Sequence, residues 1–150
     1  MKWWVYKCNS KEDSPWPCYG DWDDFFANPE QHWGASEHLP SLLTLEEGDM
    51  ILAYQTDRNE LVGTATVSRT CHDGGYLYLT PEEPGIRVKV RPLKQYARIA
   101  EMSAFQSGPV RTLYAITEDD AKYLLLMAKH RRSQQRKTRA FAGLARRKKR

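Results

Sequence analysis

Hydrophobic and polar positions divide the chain into short β-type segments followed by one strongly helical segment. Residues 3–9 are aromatic and β-branched and predict a buried strand, ending at the polar cluster Asn9, Ser10, Lys11, Glu12 and Asp13. Residues 14–34 hold three prolines, two glycines and the rings of Trp16, Tyr19, Trp22, Phe25, Phe26 and Trp33, without a clean period of 2 or 3.6. They predict a long structured loop with a short helix over 23–27. Residues 45–49 form a turn, and 50–56 with 61–69 read as a hairpin joined by the polar turn 57–60. After the turn chemistry of 71–75, residues 76–80 and 86–91 alternate as further strands, split by the proline- and acid-rich 81–85. A β-meander or barrel follows. Residues 93–102 read as helical, Gly108 and Pro109 as a turn, and 110–116 as a closing strand.

The last segment carries the clearest helix start. Thr117 is placed to cap it, Glu118, Asp119 and Asp120 suit the positive end of the helix dipole, and Ala121, Leu124, Leu125 and Ala128 form an apolar stripe. Beyond His130 apolar content thins, so the helix is expected to fray into a charged arm. No internal repeat is visible, and 150 residues with 41% hydrophobic composition suit one domain with one core. We therefore expect a domain over 1–128 and a basic helix or tail over 129–150.

Charge sharpens this picture. Residues 129–150 contain 11 basic and no acidic side chains, leaving 12 basic and 19 acidic residues in 1–128. Within the acidic body, 84–117 is locally positive, with Arg87, Lys89, Arg91, Lys94, Arg98 and Arg111 against Glu101. This distribution suits a polyanion approached from one side and held by a basic arm; the alternative is a tail that only aids solubility. The N-terminus lacks the apolar core of a secretory signal and no apolar run suffices to span a bilayer, so a cytoplasmic protein without membrane partners is expected. Cys8, Cys18 and Cys71 lack a CxxC spacing, which points to buried or idle thiols rather than a disulfide framework or zinc ribbon.

Five tryptophans and eight tyrosines exceed what one core of this size requires, and aromatic faces hold nucleobases by stacking. Enzymatic readings have less support. His32, His38, His72 and His130 belong to no HExxH, HNH-like or CxxC arrangement, and Cys71 and His72 sit in a glycine turn. Asp21, Asp23 and Asp24 suit a loop or helix start better than a divalent cation, and no glycine-rich phosphate loop is present. No catalytic residue, metal or cofactor is assigned.

Ordered patches carry a family resemblance. Lys7, Cys8, Asn9 and Ser10 stand at a strand end, Trp33 and Gly34 in a loop, and the hairpin has Gly48, Asp49, Leu52 and Tyr54 followed by Val62, Gly63, Ala65 and Val67. Tyr76 to Pro81 and Ile86 to Val90 then follow in order. Over roughly residues 2–125 the chain resembles the EVE domain and its YTH relatives in the PUA-like superfamily. The resemblance implies an α+β fold, a small mixed PUA-like β-barrel with flanking helices, that receives a flipped base in an aromatic cage. It further implies a base pocket from Lys7, Cys8, Asn9, Ser10, Trp33, Gly34, Tyr54 and Tyr78, with Trp22 as the alternative cage residue. The chain departs from the family at Tyr78, where YTH-like domains often carry tryptophan, and at Ser36 and Glu37, where EVE domains commonly carry an arginine–asparagine pair.

The expected function is a non-enzymatic module binding DNA or RNA at a methylated or otherwise modified base. Arg69, Arg87, Lys89, Arg91, Arg131 and Arg132 are the candidates to hold the backbone. The rivals are a PUA-like RNA-binding module blind to modification, a nuclease or hydrolase using His72 or Asp23 and Asp24, and a small-molecule pocket. A separate effector protein is left open as a partner.

Overall fold

The computed structural model describes residues 1–11, 20–29, 40–69, 77–106 and 111–148 of the chain. Five strands, β1 (Trp3–Cys8), β2 (Met50–Gln55), β3 (Glu60–Arg69), β4 (Tyr78–Lys89) and β5 (Leu113–Ile116), form one sheet in the order β4-β3-β2-β1-β5. The sheet is mixed: β1 runs parallel to β2 from Trp3 opposite Met50 to Cys8 opposite Gln55, and every other pairing is antiparallel. Parallel strands are normally covered on both faces, and β1 and β2 read accordingly as near-continuous apolar runs.

Because successive strand residues point to opposite faces, the sheet divides the core in two. Tyr6, Ile51 and Ala53 pack on one face with Trp22 and Phe25 of helix α1 (Trp22–Ala27) and with Leu42 and Leu45. Val5, Leu52 and Tyr54 pack on the other. That second face is covered by α2 (Val90–Leu93), α3 (Ala97–Ala100), a 3₁₀ turn (Ser103–Phe105) and α4 (Glu118–Lys148).

The Gly48–Asp49 turn works as a unit. Gly48 has φ +90°, a conformation glycine adopts without steric cost, and the Asp49 side chain behind it is 1% exposed. Burial alone raises a carboxyl pKa. Here the N–H groups of Lys2 and Glu46 and the Trp4 indole all donate to the carboxylate, and together they hold Asp49 below its usual value. The turn is thereby bonded to the chain start and to β1.

Gly63 has a different role. A Cβ there would lie 2.5 Å from the Glu83 carbonyl oxygen of β4 and 2.6 Å from Phe26 Cζ. Gly63→Ala is expected to destabilise the fold by about 1–3 kcal/mol in denaturant titrations, as overpacking against a fixed backbone does. Adding Phe26→Leu removes the ring contact but leaves the carbonyl clash, so it should restore only part of the loss.

Three expectations change. Residues 81–85 do not split two strands: β4 is continuous, with Pro81 opposite Ala65 and Pro84 opposite Gly63. Prolines are tolerated because β4 is an edge strand, where an amide facing outward needs no partner, and register shifts absorb the irregularity. The helix expected over 93–102 is broken into α2 and α3 by an extended Tyr96. Leu93 and Ile99 are both fully buried, yet on one continuous helix they would point about 120° apart, so the break turns both inward. Finally, α4 does not fray after His130 but continues to Lys148. Its start is as expected, with the Asp120 N–H donating to Thr117 Oγ1 at 3.1 Å and Ala121, Leu124 and Ala128 buried.

Candidate nucleic-acid interface

The C-terminal ends of β1 and β2 bring polar groups together because the two strands run parallel and in register, Lys7 beside Tyr54 and Cys8 beside Gln55. Lys7 is only 6% exposed. Its ammonium lies 4.5 Å from the centroid of the Tyr114 ring on β5 and 5.3 Å from that of Tyr54 on β2. Desolvation, with a smaller contribution from nearby Lys94, lowers its pKa to about 8. Tyr54 is 8% exposed; its hydroxyl donates to Asn59 Oδ1, its ring centroid lies 5.9 Å from that of Phe105, and burial pushes its pKa up to about 12. Two phenol rings thus flank one cationic donor.

A polar knot lies just beyond. Asn9 Nδ2 donates to Thr56 Oγ1 at 2.7 Å, and Asn9 Oδ1 accepts the Lys11 N–H at 2.9 Å. Ser10 donates both its N–H and its hydroxyl to Asp57, which also accepts from Gln55 Nε2 at 2.6 Å. Burial opposes ionisation of Asp57, but these donors outweigh it and its pKa is lowered. The knot fixes the end of β1 against the β2–β3 turn. Asn9 therefore spends its amide on the rim of the site.

The structure gathers only part of the expected pocket. Lys7 and Tyr54 share a face, with Asn9 and Ser10 at its edge. Cys8 does not join them: strand alternation places it on the opposite face beside Tyr6 and Trp22, where it is fully buried. It is also disulfide-bonded, which corrects the expectation of an idle thiol. Tyr78 does not join either. It pairs with Arg69 at one end of β3, whereas Tyr54 pairs with Leu61 at the other, eight residues and about 27 Å along the strand. Its ring instead carries the Arg69 guanidinium at 4.5 Å. Trp22, the alternative cage residue, lies in the core on the α1 face with 0% exposure. Trp33, Gly34 and His72 lie outside the described residues.

The expected backbone-holding cations also sort themselves. Arg58 pairs with Asp21 at 2.9 Å and Asp23 at 3.0 Å, and Arg87 bonds to Asp23 and to Glu60. Lys89 donates to the Arg58 carbonyl at 2.7 Å. Arg58 and Arg87 therefore pin α1 and its cap to the β2–β3 turn, and Lys89 ties the end of β4 to that same turn. The same pairs occupy Asp21 and Asp23, two of the acids considered for a cation. Arg91 is exposed at the start of α2, and Arg131 and Arg132 are half-buried on α4.

Tyr114 and Phe105 were missed. Tyr114 stands opposite Val5, two residues from Lys7 on the same face, a diagonal neighbour that alternation along 110–116 permits but does not single out. Among the described residues no three or more His, Cys, Asp or Glu side chains gather as a metal site, and no helix is long and apolar enough to cross a membrane.

No protein-family model and no curated protein matches the sequence. Solved structures do match, and they show that this chain shares their mixed α+β fold. Rpa0253 from Rhodopseudomonas palustris aligns with TM-score 0.63 and 19% identity over 86% of this chain and 94% of that one. The DUF55 domain of human thymocyte nuclear protein 1 aligns with TM-score 0.63 and 11% identity over 83% and 97%. Human THYN1, solved in complex with DNA containing 5-methylcytosine, aligns with TM-score 0.64 and 11% identity over 85% and 98%.

Proposed function

We propose that this chain is a nucleic-acid-binding module that takes one flipped, modified base into a pocket at the C-terminal ends of β1 and β2. Lys7 donates to the base edge, Tyr54 and Tyr114 line the slot, and Trp33 is the stacking residue that the family resemblance implies. The reading rests above all on the buried Lys7 ammonium held between two phenol rings, because a desolvated donor flanked by aromatic faces recognises both the edge and the plane of a heterocycle. The methylcytosine-containing DNA bound by THYN1, a domain of the same fold, supports the class of ligand.

A flipped base must recover an unstacking cost of a few kcal/mol, least in single strands and mismatches. A methyl group adds discrimination of only about 1–3 kcal/mol, so preference for a modified base depends on an apolar fit. Fluorescence anisotropy with matched oligonucleotides carrying cytosine or 5-methylcytosine tests this. Wild type should favour the methylated probe by about tenfold or more, and Trp33→Ala should abolish the preference. Equal affinity of wild type for both probes rejects cytosine methylation as the mark, and unchanged preference in Trp33→Ala rejects the cage.

A further inference from the structure

Helix α4 changes character halfway along. Its first three turns pack on the sheet through Ala121, Leu124 and Ala128, and it passes edge strand β4 where Lys129 pairs with Glu83 at 3.4 Å. From Ser133 to Arg147 every residue is exposed. Residues 129–150 supply 11 basic and no acidic side chains, so this half of the helix contains no acid for an i,i+4 ion pair, and neighbouring cations such as Arg132 and Arg136 repel. An exposed helical segment that lacks such pairs and buries no apolar stripe, its Phe141 and Leu144 being exposed, needs another source of stability. A polyanion supplies it by neutralising the charges.

One face of this half is shaped for more than charge. Arg131, Gln134, Gln135, Thr138 and Arg139, at helical spacings of 0, 3, 4, 7 and 8, line a hollow of about 370 Å³. Arg131 Nε is buried there without a hydrogen-bond partner. Arginine pairs with guanine O6 and N7, and glutamine with adenine N6 and N7, on edges that only the major groove presents together. A helix about 10–12 Å across fits a B-form major groove about 12 Å wide, whereas the deep, narrow major groove of A-form RNA excludes it.

We propose that the distal half of α4 is a second nucleic-acid contact, which lies in the major groove of B-form DNA and turns Arg131, Gln134, Gln135, Thr138 and Arg139 toward base edges. This rests on the nucleic-acid reading above and narrows the ligand to duplex DNA. The remaining cations, Arg132, Arg136, Lys137, Arg146 and Arg147, face the flanking phosphates.

The test uses the full chain with a random-sequence duplex DNA, a duplex RNA of matching sequence and the single-stranded DNA. Wild type should bind duplex DNA at least tenfold more tightly than the other two, and should protect guanine N7 from dimethyl sulfate. The fourfold variant Arg131→Ala, Gln134→Ala, Gln135→Ala and Arg139→Ala, whose helix content circular dichroism verifies, should lose at least tenfold affinity and the protection. Gln134→Ala with Gln135→Ala alone should weaken binding without changing its salt dependence, since it removes no charge. Equal binding of duplex RNA or single strands, binding without N7 protection, or full affinity in the fourfold variant overturns the proposal. So does a dimer through Phe141 and Leu144 that leaves DNA unprotected. Trp33→Ala separates the two sites: if it leaves methyl preference intact while the helix variant loses duplex binding, the pocket fails and the helix contact stands.

Discussion

Replacing Lys7 by methionine is expected to make the fold more stable at pH 7 while removing at least tenfold of its nucleic-acid affinity. The ammonium is nearly inaccessible, and burial with the adjacent Lys94 lowers its pKa to about 8, against about 10.4 for a lysine in an unfolded chain. The sign follows from proton counts. Between pH 8 and about 10.4 the unfolded chain binds a proton that the folded one does not, so stability rises with pH across that window. Below pH 8 both states are protonated and the penalty of the buried charge is fully present. Methionine fills a similar volume without the charge, and lost attraction to the Tyr54 and Tyr114 rings offsets part of the gain. The net effect should be about 1–2 kcal/mol of added stability at pH 7, closing to near zero above pH 10. Urea titrations across this range, with anisotropy on the preferred oligonucleotide, measure both halves. A variant less stable at pH 7, with a gap that pH does not alter, would make Lys7 a structural residue. Unchanged affinity would remove it from the pocket.

The same residue shows where the sequence was legible. The apolar runs over 50–56 and 61–69 identified β2 and β3 nearly to the residue, because both strands are buried on both faces over most of their length and the turn at 57–60 between them is polar. The family resemblance implies that Lys7, Cys8, Asn9 and Ser10 line one pocket as a segment. On a strand, adjacency puts Lys7 and Cys8 on opposite faces, and the two cores make that separation absolute. Tyr78 failed for a related reason. Sequence order places it between hairpin and closing helix, but register decides which end of the sheet it reaches, and register is a long-range property. The ring that does stand beside Lys7 is Tyr114, yet nothing local distinguishes it from Tyr96 or Tyr123. The continuity of β4 was hidden likewise, since Pro81 and Pro84 break a central strand and are harmless at an edge. The distal half of α4 was hidden because residues 133–147 are helical without burying an apolar stripe, the signal on which helix reading depends.

Trp22→Ala should cost about 3–5 kcal/mol of folding stability and, in the fraction that remains folded, leave methylated-base affinity unchanged. The indole is fully buried and meets Tyr6 edge-to-face at 5.2 Å and Phe25 at 5.6 Å, while Phe26 packs at 6.3 Å. Its backbone N–H donates to Gln55 Oε1 at 2.9 Å, and the Asp21 carboxylate caps the same helix by accepting the Asp23 N–H. α1 is a six-residue helix, too short to persist without tertiary contacts, so its indole is what holds the segment against the sheet. Trp22→Phe keeps a ring in the aromatic cluster and should lose well under half as much. Denaturant titration gives the stability difference, and binding corrected for the folded fraction gives the second half. The sheet lies between Trp22 and Lys7, so the core and the proposed pocket are separate readouts. Weakened binding with stability intact would require the indole to line the slot itself, an arrangement that its contacts with Tyr6 and Phe25 oppose.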